Sequence, residues 1–150
     1  MALKQSTTLL KILLADDDID DRFFFAKALS ELSIKTHLTT VHDGEQLMDY
    51  LYEHLDYLPD VLFLDLSMPR KTGFECLAEI KENVELKNIP IVMFSTSYPR
   101  DSHYEQSMVQ ILFSIGANDY IRKPSDFLLL KDILHQSLNS ILALKPLLSL

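Results

Sequence analysis

Short apolar runs alternate with longer amphipathic segments along the chain. Residues 9–15, 61–64 and 91–94 are nearly continuous apolar runs, which are typical of strands buried on both faces. Residues 36–41 are rich in β-branched side chains and predict an edge strand, and residues 120–121 predict a short fifth strand. The pattern therefore predicts five strands, with residues 9–15 forming the central one.

Each predicted strand is followed by apolar residues at the spacing of an amphipathic helix. In the first helix the buried face is predicted from Phe25, Ala28, Leu29 and Leu32, and Phe23 and Phe24 are expected to widen it. The preceding aspartates are placed to cap the amino end of this helix. The second helix is predicted over residues 45–54, and the third has an apolar face at Phe74, Leu77 and Ile80. The fourth helix is predicted to end at Gly116, with an apolar stripe formed by Tyr104, Met108, Ile111, Leu112 and Ile115. The fifth is predicted from about Asp126 to Pro146, and its buried residues are Leu130, Ile133, Leu134, Leu138 and Ile141.

Five strand–helix pairs in strict alternation predict a parallel sheet covered by helices on both faces. The 150 residues are enough for one ordinary domain, and we expect no separate effector domain within them. We expect the domain to cover residues 9–144, with loose tails at residues 1–8 and 145–150.

Charge and cysteine content narrow the range of functions. A formal charge of -8 without a basic run argues against nucleic-acid binding, which needs clustered Lys and Arg, so protein partners are expected. The single cysteine, Cys76, excludes an internal disulfide framework and is typical of a cytoplasmic protein. The apolar run at residues 9–15 is too short for a membrane span, so neither membrane insertion nor export is expected.

Acidic residues and one lysine follow three of the predicted strands. Asp16, Asp17 and Asp18 follow the first strand, Asp65 follows the third, and Lys123 follows the fifth. The carboxyl ends of parallel strands gather at one edge of a sheet. These side chains are therefore expected to meet there, around a metal ion and a phosphoryl group.

Each of these residues also has a purely structural interpretation. The three aspartates can cap the following helix, although crowded carboxylates favour a divalent cation such as Mg²⁺. Asp65 either accepts backbone hydrogen bonds or acts as a metal ligand and a nucleophile toward phosphorus, and Gly73 allows a close backbone approach nearby. Lys123 is either a surface lysine or the counter-charge of a phosphoryl group. Whether the Lys123–Pro124 peptide is cis or trans stays open.

Two other side chains lie near strand ends. Ser95 ends the fourth strand, where its hydroxyl can donate to a phosphoryl oxygen, and Thr96 or Ser97 can serve instead. Tyr120 is, from its position alone, an ordinary half-buried aromatic residue.

Four motifs, ILLADDD, VLFLDLSMPRKTGFE, PIVMFSTS and GANDYIRKP, follow one another along residues 9–144. In this order the chain resembles the receiver domain of two-component response regulators, of the stand-alone chemotaxis-regulator type. The resemblance implies a flavodoxin-like, three-layer (βα)5 α/β fold whose five parallel strands lie in the order 2-1-3-4-5.

The resemblance also implies a role for each site residue. Asp65 would be the phosphoacceptor, and Mg²⁺ would be held by Asp65, Asp16, Asp17 and the backbone carbonyl of Ser67. The other implied roles are phosphoryl binding by Lys123, a switch hydroxyl on Ser95 and a switch aromatic ring at Tyr120.

A histidine kinase or histidine phosphotransfer protein would donate the phosphoryl group in a Mg²⁺-dependent reaction. The face formed by the fourth helix, fifth strand and fifth helix would then signal to a protein target. Val109 and Phe113 either widen the buried face of the fourth helix or form a docking patch on this output surface. Ser67, Ser97 and Thr96 depart from the family's common residues, so the lifetime of the phosphorylated state is not predicted.

Two other functions stay open. One is a pseudo-receiver that binds partners without phosphorylation, and the other is a Mg²⁺-dependent phosphohydrolase that uses Asp65 as a transient nucleophile. Only three glycines and no Gly-rich loop argue against a flavin or nucleotide site. The sequence does not identify the kinase or the target, and it leaves open whether the apolar residues 147–150 support a homodimer.

Overall fold

The computed structural model describes residues 9–96 and 102–148, except for the side chains of residues 102 and 145–148. The described residues form five strands and five α-helices in alternation, with a 3₁₀ turn at Leu55–Tyr57. In chain order the elements are β1 (Leu10–Ala15), α1 (Ile19–Ser30), β2 (Thr36–Val41), α2 (Gly44–Glu53), β3 (Val61–Leu64), α3 (Gly73–Glu82), β4 (Ile91–Ser95), α4 (Ser102–Ile115), β5 (Asp119–Arg122) and α5 (Phe127–Leu148).

The five strands form one parallel sheet in the order β2-β1-β3-β4-β5. The flavodoxin-like order implied by the resemblance is confirmed, with β1 central and β2 at an edge. Ala15 at the end of β1 pairs with Leu64 at the end of β3, and Ser95 at the end of β4 pairs with Arg122 at the end of β5. The residues after these strands are therefore neighbours along one edge.

Two apolar cores, one on each face of the sheet, create the three layers. One core joins alternate strand residues such as Leu13 and Leu64 to α2, α3 and α4. The other joins the intervening strand residues, such as Leu14 and Phe63, to α1 and α5. Since both faces are covered, the strands are continuous apolar runs, as the sequence pattern predicted.

Side-chain caps fix where three helices begin. Asp18 accepts hydrogen bonds from the backbone N–H groups of the first turn of α1, so the predicted capping is confirmed. Asp43 caps α2 in the same way. Thr72 and Glu75 form a capping box at the start of α3. Because α1 and α3 follow β1 and β3, these caps hold the loops that carry the acidic residues.

Three expectations about helices are wrong. Phe23 and Phe24 are exposed rather than buried, because only the Phe25 face of α1 points at the sheet; their rings pack on each other with centroids 5.6 Å apart. Tyr104 and Ile111 are likewise exposed, while Met108 and Leu112 form the buried stripe of α4. Pro146 does not end α5, which continues to Leu148, since a proline near the end of a long helix removes only one backbone donor.

No helix within residues 9–96 and 102–148 is both long and apolar enough to cross a membrane. All peptide bonds in these two segments are trans, including Lys123–Pro124. The division into a domain at residues 9–144 and two tails stays a prediction, and residues 1–8 lie outside the described part of the chain.

Candidate functional site

Three acidic side chains meet at the carboxyl edge of the sheet. Asp16 follows β1 and Asp65 follows β3, so the pairing of these strands makes the two residues neighbours. One carboxylate oxygen from each of Asp16, Asp17 and Asp65 lies within 4.8 Å of the others. Asp16 and Asp65 are buried, whereas Asp17 is exposed and opens the cluster to solvent.

This donor set fits a divalent cation. Carboxylate oxygens are the ligands that Mg²⁺ prefers, and three of them at this spacing can point at one ion. Asp18, the fourth acid of this region, is used differently, since its carboxylate accepts from the N–H groups of Asp20 and Asp21. Asp18 therefore caps α1, whereas Asp16 and Asp17 lie beside Asp65 in the carboxylate cluster.

Lys123 provides the positive charge of the site. Its Nζ donates to Asp16 Oδ2 at 2.7 Å, to Asp21 Oδ2 at 2.9 Å and to Asp65 Oδ2 at 3.4 Å. The Phe94 ring lies on another side, with its centroid 5.5 Å from Nζ. Lys123 is thus not a surface lysine, since its side chain is only 9% exposed.

Burial and charge shift the pKa values of these groups. Loss of hydration raises the pKa of Asp65 to about 6, and it also raises that of Asp16, although contacts with Lys123 offset part of each shift. Burial alone would lower the pKa of Lys123, but hydrogen bonds to Asp16 and Asp21 and the charge of Asp65 raise it. Lys123 is therefore charged throughout the physiological pH range.

The loop between β3 and α3 is held close to Asp65. The Ser67 N–H donates to Asp65 Oδ1 at 3.3 Å, and the Gly73 N–H donates to the Leu66 carbonyl at 2.9 Å. A Cβ on Gly73 would lie 2.1 Å from the Asp65 carbonyl oxygen, so no other residue fits without displacing the backbone. Arg70 takes a left-handed φ of 71° and forms an ion pair with Asp43 in the loop that precedes α2.

Ser95 lies at the same edge, at the end of β4. Its side chain is buried, and its hydroxyl donates to the Thr96 carbonyl at 3.3 Å. The backbone N–H of Lys123 donates to the Ser95 carbonyl at 2.7 Å, so the ends of β4 and β5 are tied together. Ser97 lies outside the described residues.

The described part of the chain therefore brings Lys123 into direct contact with Asp16 and Asp65, with Asp17 in the same carboxylate cluster and Ser95 on the next strand. A family model for the response regulator receiver domain matches residues 12–135. The chain belongs to the response regulator receiver family.

Relatives of known sequence and structure agree with this assignment. The chain is 33% identical to response regulator Rcp1 of Synechocystis over 126 residues, covering 81% of this chain and 80% of Rcp1. The crystal structure of Mn²⁺-bound Rcp1 is similar with a TM-score of 0.71 and 30% identity, covering 83% of this chain and 91% of that one. The structure of the phosphorylated cyanobacterial phytochrome response regulator RcpA is similar with a TM-score of 0.72 and 33% identity, covering 84% of this chain and 89% of that one.

The Tyr120 side chain of this receiver contacts α4. Its hydroxyl donates to Glu105 Oε2 at 2.8 Å, and Arg122 forms an ion pair with the same carboxylate. These contacts lower the pKa of Glu105, with Arg122 as the larger cause. Tyr120 is half-buried, as its position predicted, and Val109, Phe113, Tyr120 and Arg122 line one groove. Phe113 is 45% exposed and Val109 is partly buried.

Among the described residues, two acids that contact predicted site residues were not singled out from the sequence. Asp21 contacts Lys123, and Glu105 joins Tyr120 to Arg122. A usable signal existed for Asp21, because it lies three residues after the Asp18 cap, where the first helical turn borders the sheet edge. No pattern signalled Glu105, whose partners are 15 and 17 residues away.

Proposed function

We propose that Asp65 accepts a phosphoryl group from phosphohistidine on a histidine kinase or a histidine phosphotransfer protein. The contact between Lys123 and Asp65 carries this proposal, because a carboxylate nucleophile beside a buried ammonium group is what acyl phosphate formation requires. The phosphorylated state of the relative RcpA supports it.

The proposed transfer is a single displacement at phosphorus. An oxygen of Asp65 bonds to phosphorus as the bond between phosphorus and the donor's imidazole nitrogen breaks, and that nitrogen keeps the electron pair. Without a bound metal ion, burial raises the pKa of Asp65 to about 6, so its carboxylate is mostly ionised at neutral pH and available as a nucleophile. Lys123 donates to the oxygens on which negative charge develops.

Asp16, Asp17 and Asp65, with the Ser67 carbonyl, would hold Mg²⁺ in this reaction. The bound ion would neutralise charge on the phosphoryl oxygens and on the crowded carboxylates. Mn²⁺ binding by the relative Rcp1 supports a divalent site here. The ligand role of Ser67 stays a prediction.

A protein target would bind the face formed by α4, β5 and α5. Ser95 and Tyr120 would move toward the phosphoryl group, and Tyr120 would then release Glu105 in the groove lined by Val109 and Phe113. Phe113→Ser is expected to weaken partner binding and to leave phosphorylation intact. Loss of phosphorylation in that variant would contradict the assignment of Phe113 to the output surface.

The similarity to RcpA makes a phytochrome-type histidine kinase the first phosphodonor to test. We expect the protein to act in the cytoplasm, where a buried Cys76 that forms no disulfide would stay reduced.

The test is intact mass after incubation with acetyl phosphate and Mg²⁺. We expect one added phosphoryl group in the native protein and none in Asp65→Asn or in the presence of a chelator. Asp49→Asn, which removes an exposed carboxylate of α2, is the matched control and is expected to behave as native. A folded native protein that gains no phosphoryl group from acetyl phosphate or a kinase would favour a pseudo-receiver. Sustained phosphate release from external esters would favour a phosphohydrolase.

A further inference from the structure

Lys123 is shared among three acids. An ammonium group has three N–H donors, and here Asp16, Asp21 and Asp65 accept from it. The contacts to Asp16 and Asp21 are 2.7 and 2.9 Å, whereas the contact to Asp65 is 3.4 Å. The lysine is therefore held most tightly by the acids that do not accept the phosphoryl group.

Asp21 differs from the other two partners of Lys123. Asp16 and Asp65 belong to the three-carboxylate cluster that fits a divalent cation, and Asp21 does not. Its side chain is 34% exposed, compared with 0% for Asp16 and 7% for Asp65. Water can therefore hydrate Asp21 when the lysine moves, so breaking the Lys123–Asp21 contact leaves no buried, unpaired charge on Asp21.

The charge of Asp21 opposes phosphorylation. A phosphoryl group adds about 1.5 to 2 negative charges at Asp65, and Asp21 and Asp65 contact the same nitrogen. Like charges at such short range disfavour each other. Asp21 thus acts twice, by occupying one donor of Lys123 and by repelling the charge that this lysine has to stabilise.

We propose that Asp21 is a positioning residue that holds Lys123 back from Asp65 and limits how much phosphorylated protein accumulates. The inference rests on the phosphoacceptor function proposed for Asp65. Helix α1 thereby controls how much phosphorylated protein accumulates, through a side chain that neither accepts the phosphoryl group nor belongs to the metal cluster.

Three variants separate this role from a general effect of charge. Asp21→Asn keeps the size and an acceptor oxygen but removes the charge. Asp20→Asn removes the same charge from the neighbouring, exposed position in the same helical turn. Asp21→Glu keeps the charge and the reach to Lys123, so it tests rescue by a conservative change. Urea denaturation of all three checks that the fold is retained.

The measurement is the ratio of phosphorylated to unphosphorylated protein by intact mass. Acetyl phosphate is set, with Mg²⁺ present, to phosphorylate about half of the native protein. We expect Asp21→Asn to raise the ratio by about threefold or more, while Asp20→Asn and Asp21→Glu stay close to native.

The outcomes are distinct. An unchanged or lower ratio in Asp21→Asn, or an equal rise in Asp20→Asn, would overturn the role of Asp21 and leave the phosphoacceptor assignment standing. A native protein that gains no phosphoryl group at all would overturn both.

Discussion

Replacing Asp65 with Asn is expected to stabilise the metal-free fold at neutral pH. Burial raises the pKa of Asp65 from 3.8 to about 6, because the ionised form loses hydration that the nearby Lys123 replaces only in part. A carboxyl group whose pKa rises on folding lowers the stability of the folded state wherever it is ionised. The amide keeps the shape of the side chain and removes the buried charge.

The size of the effect follows from the shift in pKa. A rise from 3.8 to about 6 corresponds to about 3 kcal/mol of lost folding free energy once Asp65 is ionised in both the folded and unfolded chains. The side chain is only 7% exposed, so solvent screens little of this cost. The amide interacts less well with Lys123 than a carboxylate does, and we therefore expect a net gain of about 1 to 3 kcal/mol.

The gain has a defined pH window. Below pH 3.8 the carboxyl group is protonated in both states, so the native protein and the variant have similar stability. Between pH 3.8 and about 6 the unfolded chain releases this proton more readily than the folded one, and the native protein loses stability as the pH rises. Above about pH 6 the difference is constant.

Urea denaturation followed by circular dichroism, with a chelator present, measures this difference across the window. Asp49→Asn controls for the loss of an exposed carboxylate and is expected to show no such pH dependence. Greater stability of the native protein than of Asp65→Asn at neutral pH without metal would contradict the predicted cost of the buried charge. A stability difference that is the same at every pH would contradict it as well.

Three other predictions concern the framework of the site. Gly73→Ala places a Cβ 2.1 Å from the Asp65 carbonyl oxygen, so we expect a loss of about 1–3 kcal/mol in urea denaturation and slower phosphorylation by mass spectrometry; native behaviour would contradict this close approach. Thr72→Ala removes the capping box of α3 and is expected to cost about 1 kcal/mol in the same denaturation assay, with Thr72→Ser restoring most of it. Cys76 is buried, and burial raises the pKa of its thiol to about 12. Its reaction with a disulfide reagent should therefore increase with urea in parallel with unfolding. Fast reaction in the folded protein would contradict this prediction, because it would show that the thiol is accessible.

The positions of the strands and the set of residues at the carboxyl edge of the sheet were predictable, because both depend on patterns within short stretches of sequence. Continuous apolar runs predicted strands buried on both faces, and the alternation of strands and helices predicted a parallel sheet. A parallel sheet brings the residues after its strands to one edge, which is why Asp16, Asp65 and Lys123 were expected together. Their contacts in the structure follow from the strand order β2-β1-β3-β4-β5.

Other features were not predictable from local pattern. Three consecutive phenylalanines at 23–25 are equally apolar, and only the packing of α1 decides that Phe25 is buried while Phe23 and Phe24 are exposed. Glu105 is buried on α4 because Tyr120 and Arg122 of β5 pair with its carboxylate. Such choices depend on tertiary contacts, which override the preferences of single residues.

The contact between Asp21 and Lys123 shows what a motif leaves undetermined. The two residues are 102 positions apart, and the acids and lysine that define a receiver do not include Asp21. Yet the lysine has a fixed number of donors, so any further acceptor within reach would change how strongly it holds a phosphoryl group on Asp65. With the role proposed for Asp21, receivers that share these acids and the lysine would differ in phosphorylation level through a residue in the first turn of α1. That residue can be sought in a sequence, since it follows the helix cap by three positions and lies beside the sheet edge.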